Sequence, residues 1–315
     1  MKIHLPNSAF LGNIDPFLES FSSSKPQKLE ITANPKWISI HPVVLSMVAA
    51  IGLGAESIQC ERLEATSKHY LERMGLFKLL KIRSGIKIKE HEPAGRFIPL
   101  TKITNSTELT KFITEMIPLL HLEPKKAEPI KYVVSELVRN VLEHSNAKQG
   151  AILCAQYYAK SKTIRIGIAD TGVGIKETIN FSHKAESDLE AIKLSLMPGI
   201  TGATRIEGGT ERNAGAGLFF IKSIAKVNKD FFMIYSGKAM YKLLKSKKMV
   251  LFADPFKDRH SKKENLPYWQ GTVVGIDISL EANEEFSLLL DLIRDIYLKT
   301  IKERKKEMHK KARFI

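Results

Sequence analysis

The sequence is poor in cysteine, in long apolar runs and in acidic charge. Its 315 residues contain only two cysteines, Cys60 and Cys154, which are far apart and lack the spacing of metal ligands. We therefore expect free, buried thiols in a reducing compartment. The most apolar run, residues 43–55, is too short and too interrupted by glycine to span a bilayer. The N-terminus lacks the pattern of a signal peptide, so a cytoplasmic location is expected.

Acidic charge is in deficit, because 34 Asp and Glu residues face 49 Lys and Arg residues and the formal net charge is +15. Part of the excess lies near the C-terminal end, in Lys299, Lys302, Arg304, Lys305, Lys306, Lys310, Lys311 and Arg313. We expect residues 281–315 to form a basic amphipathic helix. Such a helix suits a nucleic acid, an anionic membrane surface or an acidic protein, and equally a solvated helix end. Nucleic acid is therefore one candidate partner, and pairing of this helix with a second copy would give a homodimer.

Three common signatures of nucleotide or kinase chemistry are missing. The glycine-rich segment 208–217 has no Lys-Ser/Thr after its glycines, so it is not a Walker loop. It follows a loop rather than a strand, so it is not a dinucleotide fingerprint either. No helical hairpin with a phospho-accepting histidine precedes it, since Ser106–Leu120 predicts one short helix that ends at His121. Classical two-component signalling is therefore not expected.

The segments that are present predict an α/β protein with two domains. Residues 1–95 alternate strand-like and helical patterns and are expected to form one compact unit. Prolines and a glycine mark a hinge, and residues 96–123 are expected to be a linker with one helix. Residues 124–280 contain a helix, a hairpin, a long irregular segment and further strands, and are expected to form the second domain.

The first group of residues that could carry out chemistry lies on the predicted helix 124–145. Glu136 and Asn140 are four residues apart and therefore share one face of this helix, with His144 one turn later. The amide oxygen is a neutral, hard ligand for Mg²⁺, and the carboxylate can orient or deprotonate a water or a hydroxyl. A solvated helix face would show the same two residues, so the pair needs support from elsewhere in the chain.

The second constellation lies at the end of the predicted strand 163–169. Asp170 continues the inward phase of the alternating isoleucines, and a buried carboxylate is costly without a partner. An amino-bearing base such as adenine would supply a donor, whereas a turn in which Asp170 only caps backbone amides is the alternative. Gly172 and Gly174 permit a tight turn and a close approach of the backbone.

The third constellation is the glycine-rich segment that runs into the predicted helix 218–227. Backbone amides of such a loop at a helix N-terminus form an anion site. Arg212 and Lys222 are nearby cations that would either meet phosphate or face solvent.

The order of these segments resembles the GHKL superfamily of ATPases and kinases. It runs from a helix with E-x-x-x-N, through a hairpin ending in D-x-G-x-G and a glycine-rich lid with G-x-G-L, to a strand with Gly271–Thr272. The resemblance covers about residues 124–280 and looks closest to the ATP-binding domains of anti-sigma-factor kinases and histidine kinases. It implies an α/β sandwich with a mixed sheet covered on one face by helices, with ATP and Mg²⁺ as cofactors.

The resemblance also implies a role for each matching residue. Asn140 would hold Mg²⁺, and Glu136 would be the general base. Asp170 would accept a hydrogen bond from the adenine amino group, with support from Thr272. Segment 199–213 would be the lid. Contacts with the adenine, the pocket wall and the phosphates would come from Gly172, Gly174, Ile175, Gly215, Ala216, Gly217 and Leu218.

Residues 1–95 carry a weaker resemblance, to STAS-like domains. It rests on the strand 37–40, the His41–Pro42 turn with its apolar helix, and Tyr70–Gly75. In partner-switching regulators the turn before that helix usually carries a phosphorylated serine. This chain has His41–Pro42 there, with Ser39 and Ser46 only nearby, so phosphorylation at the turn is not expected.

The predicted function is that of a Mg-ATP-binding regulatory protein that hydrolyses ATP or transfers its phosphate to a partner protein. Two alternatives stay open at this point. One is a non-catalytic switch, in which ATP orders the lid and exposes a surface for a partner protein. The other is a nucleic-acid-associated ATPase, motivated by the basic C-terminal segment.

Overall fold

A computed structural model describes residues 1–21, 26–35, 37–60, 63, 65–85, 96–202, 215–247, 250–281 and 286–312. Side chains are described at these positions except 65, 66, 305 and 307–312. Helices and sheets occur in two parts of the chain, which confirms the predicted α/β class.

The N-terminal part contains small parallel sheets and four helices. Its strands are β1 (Lys2–Leu5), β2 (Ser8–Ala9), β3 (Lys28–Ala33), β4 (Ser39–Ile40) and β5 (Ser57–Gln59). Its helices are α1 (Asp15–Glu19), α2 (Pro42–Gly52), α3 (Ala65–Arg73) and α4 (Leu76–Leu79). One sheet has the order β1-β3-β5, and the other pairs β2 with β4. Pro42 lies in the first turn of α2, where a missing N–H costs nothing, and the His41 side chain caps this turn by accepting from Val43 N.

The larger sheet has seven strands in the order β11-β10-β9-β12-β8-β7-β6. They are β6 (Phe97–Ile103), β7 (Ala151–Tyr158), β8 (Thr163–Ala169), β9 (Phe232–Gly237), β10 (Ala239–Leu243), β11 (His260–Lys263) and β12 (Trp269–Ser279). Every neighbouring pair in this sheet is antiparallel. The prediction that this sheet is mixed is therefore wrong. Tight connections such as β7–β8 and β9–β10 make neighbouring strands antiparallel.

The helices of this second part are α5 (Ser106–Lys111), α6 (Pro124–Asn140), α7 (Ile175–Asn180), α8 (Asp188–Ser195), α9 (Gly217–Val227) and α10 (Phe286–Ala312). A π turn and a 3-10 turn continue α5 to Leu120, and a π turn continues α6 to Ser145. The predicted helices 106–120 and 124–145 are therefore present with irregular C-terminal turns. Segment 176–213, expected to be irregular, contains α8 and nearly all of α7.

Strand β6 lies in the segment that was expected to be a linker. From the sequence, the prolines and the glycine around this strand predict a hinge. In the structure, Phe97–Ile103 instead pairs with β7 at the edge of the large sheet. The register shifts between Ile98 and Thr101, on either side of Pro99. A proline is tolerated at an edge or a bulge because no inner ladder hydrogen bond is lost.

One face of the seven-stranded sheet, the front face, is covered by α6, α9 and α10. The apolar positions of α6 recur at three and four residues, and Ile130, Val133, Val134, Leu137 and Val138 are buried. They share one core with isoleucines of β8 and β12 and with Phe219 and Phe220 of α9. The sequence pattern of α6 therefore reflects its packing on this face.

The opposite, back face of the sheet is covered by the N-terminal part. Helix α2 is buried along almost its whole length and lies against β7 and β8. A Cβ at Gly167 of β8 would lie 2.1 Å from the backbone nitrogen of Val43, so only glycine allows this contact. The back-face side chains of the large sheet and the residues of β1, β3 and α2 form one common core. The two parts of the chain are thus packed together.

Buried polar contacts also join the two parts. His41 lies 3.1 Å from Asp277 of β12, and Arg165 of β8 lies 3.4 Å from the same carboxylate. The Arg165 guanidinium carbon lies 4.3 Å from the ring centroid of Phe10 and 4.0 Å from that of Tyr158. Burial lowers the pKa of His41 despite its hydrogen bond to Asp277. A neutral His41 therefore links the start of α2 to the sheet.

The two cysteines are free, and Cys154 is buried whereas Cys60 is half-buried. The prediction of free thiols is confirmed, and that of full burial holds for Cys154 alone. None of the helices in the described ranges is long and apolar enough to cross a membrane.

Replacing Gly167 should separate α2 from the back face. We expect Gly167→Val to lower the free energy of unfolding by about 3 kcal/mol, because its side chain must displace buried helix backbone. Urea titration followed by circular dichroism measures this loss. Gly54→Ala is the matched control, since a Cβ there lies 3.5 Å from its nearest neighbour. Equal stability of the two variants would contradict the close approach of α2.

Candidate functional site

A cavity of about 340 Å³ opens on the front face of the large sheet, between α6, α7 and the start of α9. Its floor contains Ile168 of β8 together with Thr272 and Val274 of β12. Of the residues that the sequence singles out, ten line it: Glu136, Asn140, His144, Asp170, Ile175, Gly215, Ala216, Gly217, Leu218 and Thr272. Elements that are distant in sequence thus meet at one cavity.

Glu136 and Asn140 lie on the α6 wall of the cavity. Glu136 Oε1 lies 3.4 Å from an Arg139 guanidinium nitrogen, and Arg139 also approaches Glu143 at 3.7 Å. Burial raises the pKa of the Glu136 carboxyl, whereas the Arg139 charge lowers it and Glu143 raises it further. This wall therefore presents an amide beside a carboxylate whose affinity for protons is increased.

Asp170 follows the last residue of β8, lines the same cavity and is almost fully buried. Its two carboxylate oxygens accept from Gly172 N at 2.8 Å and from Thr272 N at 3.2 Å. The Trp269 indole donates to the Asp170 backbone carbonyl at 3.0 Å. Burial raises the pKa of Asp170 to about 7, although both backbone hydrogen bonds act against the rise. The carboxyl thus caps backbone amides and also faces the cavity.

Gly172 and Gly174 do not line the cavity. A Cβ at Gly172 would lie 2.0 Å from the Ser145 carbonyl oxygen, which also accepts from Val173 N at 2.6 Å. Gly174 precedes the first turn of α7. In this structure the two glycines shape the turn behind Asp170, which brings it against the end of α6. Their contact with adenine stays a prediction.

The described residues on either side of 203–214 meet at the cavity, since residues 200–202 and 215–218 line it. Gly199 N donates to Gly215 O at 3.0 Å and joins these two stretches. The expected lid, residues 199–213, lies outside the described residues from 203 onward, and so does Arg212. The part of the predicted lid that is described, up to Gly202, includes cavity-lining residues.

The start of α9 lies directly against α6. A Cβ at Gly217 would lie 2.8 Å from Glu136 Oε2, so only glycine brings the two elements this close without a shift. The N-cap residue of α9 is Ala216, whose side chain cannot cap the first turn. Backbone amides of a helix N-terminus favour an anion, and this one lines the cavity.

Lys222 neither faces solvent nor points into the cavity. This fully buried lysine of α9 donates to Asp258 Oδ2 at 2.8 Å and to the Phe252 carbonyl at 3.0 Å. Lys226 also approaches Asp258, at 3.2 Å. Both sequence alternatives for Lys222 are therefore wrong, because its charge pairs with the connection between β10 and β11.

Several cavity residues were not anticipated from the sequence. Ile179 lies one helical turn after Ile175, and Val274 is two residues after Thr272 in a strand, so both follow from periodicity. Arg139 and Thr178 carry no such signal, because a polar residue on an amphipathic helix usually faces water. Their place in the cavity emerges only from the packing of α6 and α7.

Within the described ranges, no group of three or more His, Cys, Asp and Glu side chains could hold a metal ion. Asn140 offers this cavity a neutral oxygen ligand. Mg²⁺ commonly binds through few protein ligands plus phosphate oxygens. The residues present therefore fit Mg²⁺ held together with a phosphate-bearing molecule.

A family model described as a histidine kinase-like ATPase domain matches residues 101–228. No curated protein matches the chain at a significant level. The matched range contains α6, β8 and the start of α9, and thus most of the cavity. The match supports a GHKL-type ATPase domain and an ATP-binding regulatory function. It does not extend to residues 1–95, whose STAS-like character stays a prediction.

The protonation of Asp170 should make the free energy of unfolding depend on pH. Its pKa is about 7 when folded and near 3.8 ordinarily, so the native state holds a proton that the unfolded chain has lost between these values. Stability should therefore fall by about 1.4 kcal/mol per pH unit as the pH rises toward 7. Asp170→Asn removes this dependence while keeping the size of the side chain.

The measurement is urea unfolding of the wild type and of Asp170→Asn between pH 5 and pH 8. Asp230 also has a pKa raised by burial, to about 6, but its contribution is present in both proteins and cancels in the difference. Relative to Asp170→Asn, the wild type should lose stability as the pH rises to about 7. Above that pH the difference in stability between the two proteins should stay constant. Parallel curves across the whole range would show that Asp170 does not titrate there.

Proposed function

We propose that this cavity binds ATP together with Mg²⁺, and that the protein hydrolyses the nucleotide or transfers its phosphate to a partner protein. The observation that carries the proposal is that one cavity is lined by the buried carboxylate of Asp170 and by Glu136, Asn140 and the start of α9. This set of groups suits a molecule that has both an amino-bearing base and anionic groups.

The Asp170 side of the cavity supports an adenine. Its surroundings include the apolar side chains of Ile168, Val173, Ile175 and Val274, which suit a flat ring. The carboxylate would accept a hydrogen bond from the exocyclic amine. Guanine carries an oxygen in place of that amine, and two facing acceptors repel each other. We therefore expect discrimination in favour of adenine nucleotides.

The α6 and α9 side of the cavity supports the phosphates. The backbone of Gly215, Ala216 and Gly217 lines it, and the uncapped N-terminus of α9 favours negative charge. Asn140 is the protein ligand we assign to Mg²⁺. When bound, the ion would neutralise phosphate charge and orient the terminal phosphoryl group.

Glu136 would act as the base for the attacking group. Its carboxylate would take the proton of a water, or of a partner hydroxyl, as the oxygen bonds to the γ-phosphorus and the bond to ADP breaks. Partial burial raises the pKa of this half-buried carboxyl, which makes it a better proton acceptor than an exposed glutamate. Amides at the start of α9 would stabilise the charge that develops on the phosphoryl oxygens.

One observation favours the alternative of a switch without turnover. Arg139 lies 3.4 Å from the Glu136 carboxylate, and a carboxylate engaged by a guanidinium is a weaker base. In this alternative the nucleotide orders the glycine-rich segment and alters a surface that a partner protein recognises. ATP binding without phosphate release is its signature.

The proposal for residues 1–95 is a STAS-like regulatory unit, but not one controlled by phosphorylation of Ser46. That hydroxyl is fully buried and donates to the Gly167 carbonyl at 2.9 Å. A kinase could reach it only after α2 had left the sheet. Nucleic-acid binding by the C-terminal helix stays a prediction.

Replacing Glu136 should separate binding from turnover. We expect Glu136→Gln to lower phosphate release or transfer at least 100-fold, because proton abstraction by a positioned base contributes about 10²–10⁴-fold. ATP affinity should stay within a few-fold, since the amide keeps the size and the polarity of the side chain. Single-turnover release of labelled phosphate and calorimetric titration with Mg-ATP measure the two quantities.

The matched control is Glu128→Gln, an exposed carboxylate on the same helix outside the cavity. It should leave both quantities unchanged. Turnover at the wild-type rate in Glu136→Gln would remove the base assignment. Tight ATP binding by the wild type without any release over hours would favour the switch, and absence of binding would reject the proposed function.

A further inference from the structure

Helix α10 has a buried inner face that backs the nucleotide site. Leu289, Ile293, Tyr297 and Ile301 are buried in the core of the front face. Tyr297 packs against Phe219 and Phe220 of α9, with ring centroids 6.4 and 6.0 Å apart. The first half of α10 is therefore a fixed part of the domain, held by regular apolar contacts.

The outer face of α10, which we define as Leu288, Asp291, Leu292, Asp295, Leu298, Lys299 and Lys302, is exposed. Its leucines are 61%, 47% and 56% exposed, in sequence order. Only seven large apolar side chains are exposed among the described residues, and three of them lie on this helix. Apolar side chains concentrated in one stripe mark an interaction surface more often than scattered ones do.

The charges of the outer face are divided along the helix. Its first half carries Asp291 and Asp295, and Arg294 beside them pairs with Asp291 at 2.9 Å. Its second half carries Lys299 and Lys302, with the exposed Glu303 beside them. The first half therefore has an excess of acidic charge and the second half an excess of basic charge. Two copies of this face placed antiparallel would bring the aspartates of each near the lysines of the other. A parallel pair would instead place like charges together, at a cost in stability. The surface is thus more complementary to itself in the antiparallel than in the parallel orientation.

We propose that the outer face of α10 is a homodimer interface in which the helices of two copies pair antiparallel around a twofold axis. Such an interface uses the same patch on both copies, which is the commonest symmetry of soluble oligomers. The leucines of the two helices would form its apolar centre. The Asp and Lys side chains would flank that centre and fix the relative direction of the helices.

A nucleic acid fits this face less well. Asp291 and Asp295 lie among its leucines and would repel phosphates over half of its length. Arg304, one of the cations of the basic segment, donates to the Pro198 carbonyl at 2.8 Å. Part of the basic charge of α10 is therefore used inside the molecule.

Disruption of the apolar centre is the first test. The double variant Leu292→Glu, Leu298→Glu should be monomeric at tens of micromolar, where we expect the wild type to be a dimer by sedimentation velocity. Both side chains are exposed in a single copy, so the thermal midpoint of the monomer should change little. Phe181→Glu is the control, because this side chain is 71% exposed on a different element and should leave the dimer intact.

Charge reversal tests the direction of pairing. We expect Asp291→Lys, Asp295→Lys and, separately, Lys299→Asp, Lys302→Asp to weaken self-association, since each gives a face of one sign. Mixing the two variants should restore a dimer that contains one copy of each. Restoration identifies complementary halves, whereas a dimer that forms equally well in each variant alone would overturn the proposal.

Cross-linking separates the antiparallel from the parallel pair. In a Cys60→Ser background, where Cys154 is buried, Leu288→Cys and Lys302→Cys lie about 21 Å apart along one helix. Copies with Leu288→Cys should cross-link to copies with Lys302→Cys. Two copies of the same variant should cross-link only weakly. Preferential cross-linking of identical sites would overturn the antiparallel arrangement. A monomeric wild type would overturn the interface itself. So would a monomer that binds DNA with an affinity that falls as the salt concentration rises.

Discussion

A carboxylate held almost out of solvent by two backbone amides is the interaction around which this site is arranged. Gly172 N and Thr272 N donate to the two oxygens of Asp170, and the Ser145 side chain also stabilises the charged form. Those amides come from the turn after β8 and from β12, so the carboxylate ties together two central strands. Burial disfavours the charged form of Asp170 and so raises its proton affinity. A hydrogen bond from an amino group of a ligand would offset this loss of solvation.

The back face makes this site part of a larger unit. Helix α2 lies on Gly167, three residues before Asp170 in the chain, and Phe21 packs edge-on against Trp269, whose indole donates to the Asp170 carbonyl. The N-terminal part thus contacts the same strand ends that position the carboxylate. A family resemblance that covers the nucleotide site alone misses this arrangement, because it depends on side chains from the first 50 residues of the chain.

Periodicity and spacing predicted the elements that carry strong local patterns. The hairpin β7–β8, the helix with Glu136 and Asn140 and the helix after Gly217 were all placed from sequence within a few residues. Strand β6 was missed because Pro99 indicates a break, whereas an edge strand tolerates it. Lys222 was misplaced because its partner, Asp258, is distant in sequence. Long-range ion pairs and edge pairings have no local signature, which is why sequence reasoning fails there.

The central claim is that one cavity holds an adenine at Asp170 and its phosphates at the start of α9. A crystal structure of the chain with Mg²⁺ and a non-hydrolysable ATP analogue tests it directly. The account predicts the exocyclic amine within hydrogen-bonding distance of the Asp170 carboxylate, the metal ion on the Asn140 side chain and phosphate oxygens at the amides of Gly215, Ala216 and Gly217. A base bound elsewhere, or phosphates remote from α9, would contradict it.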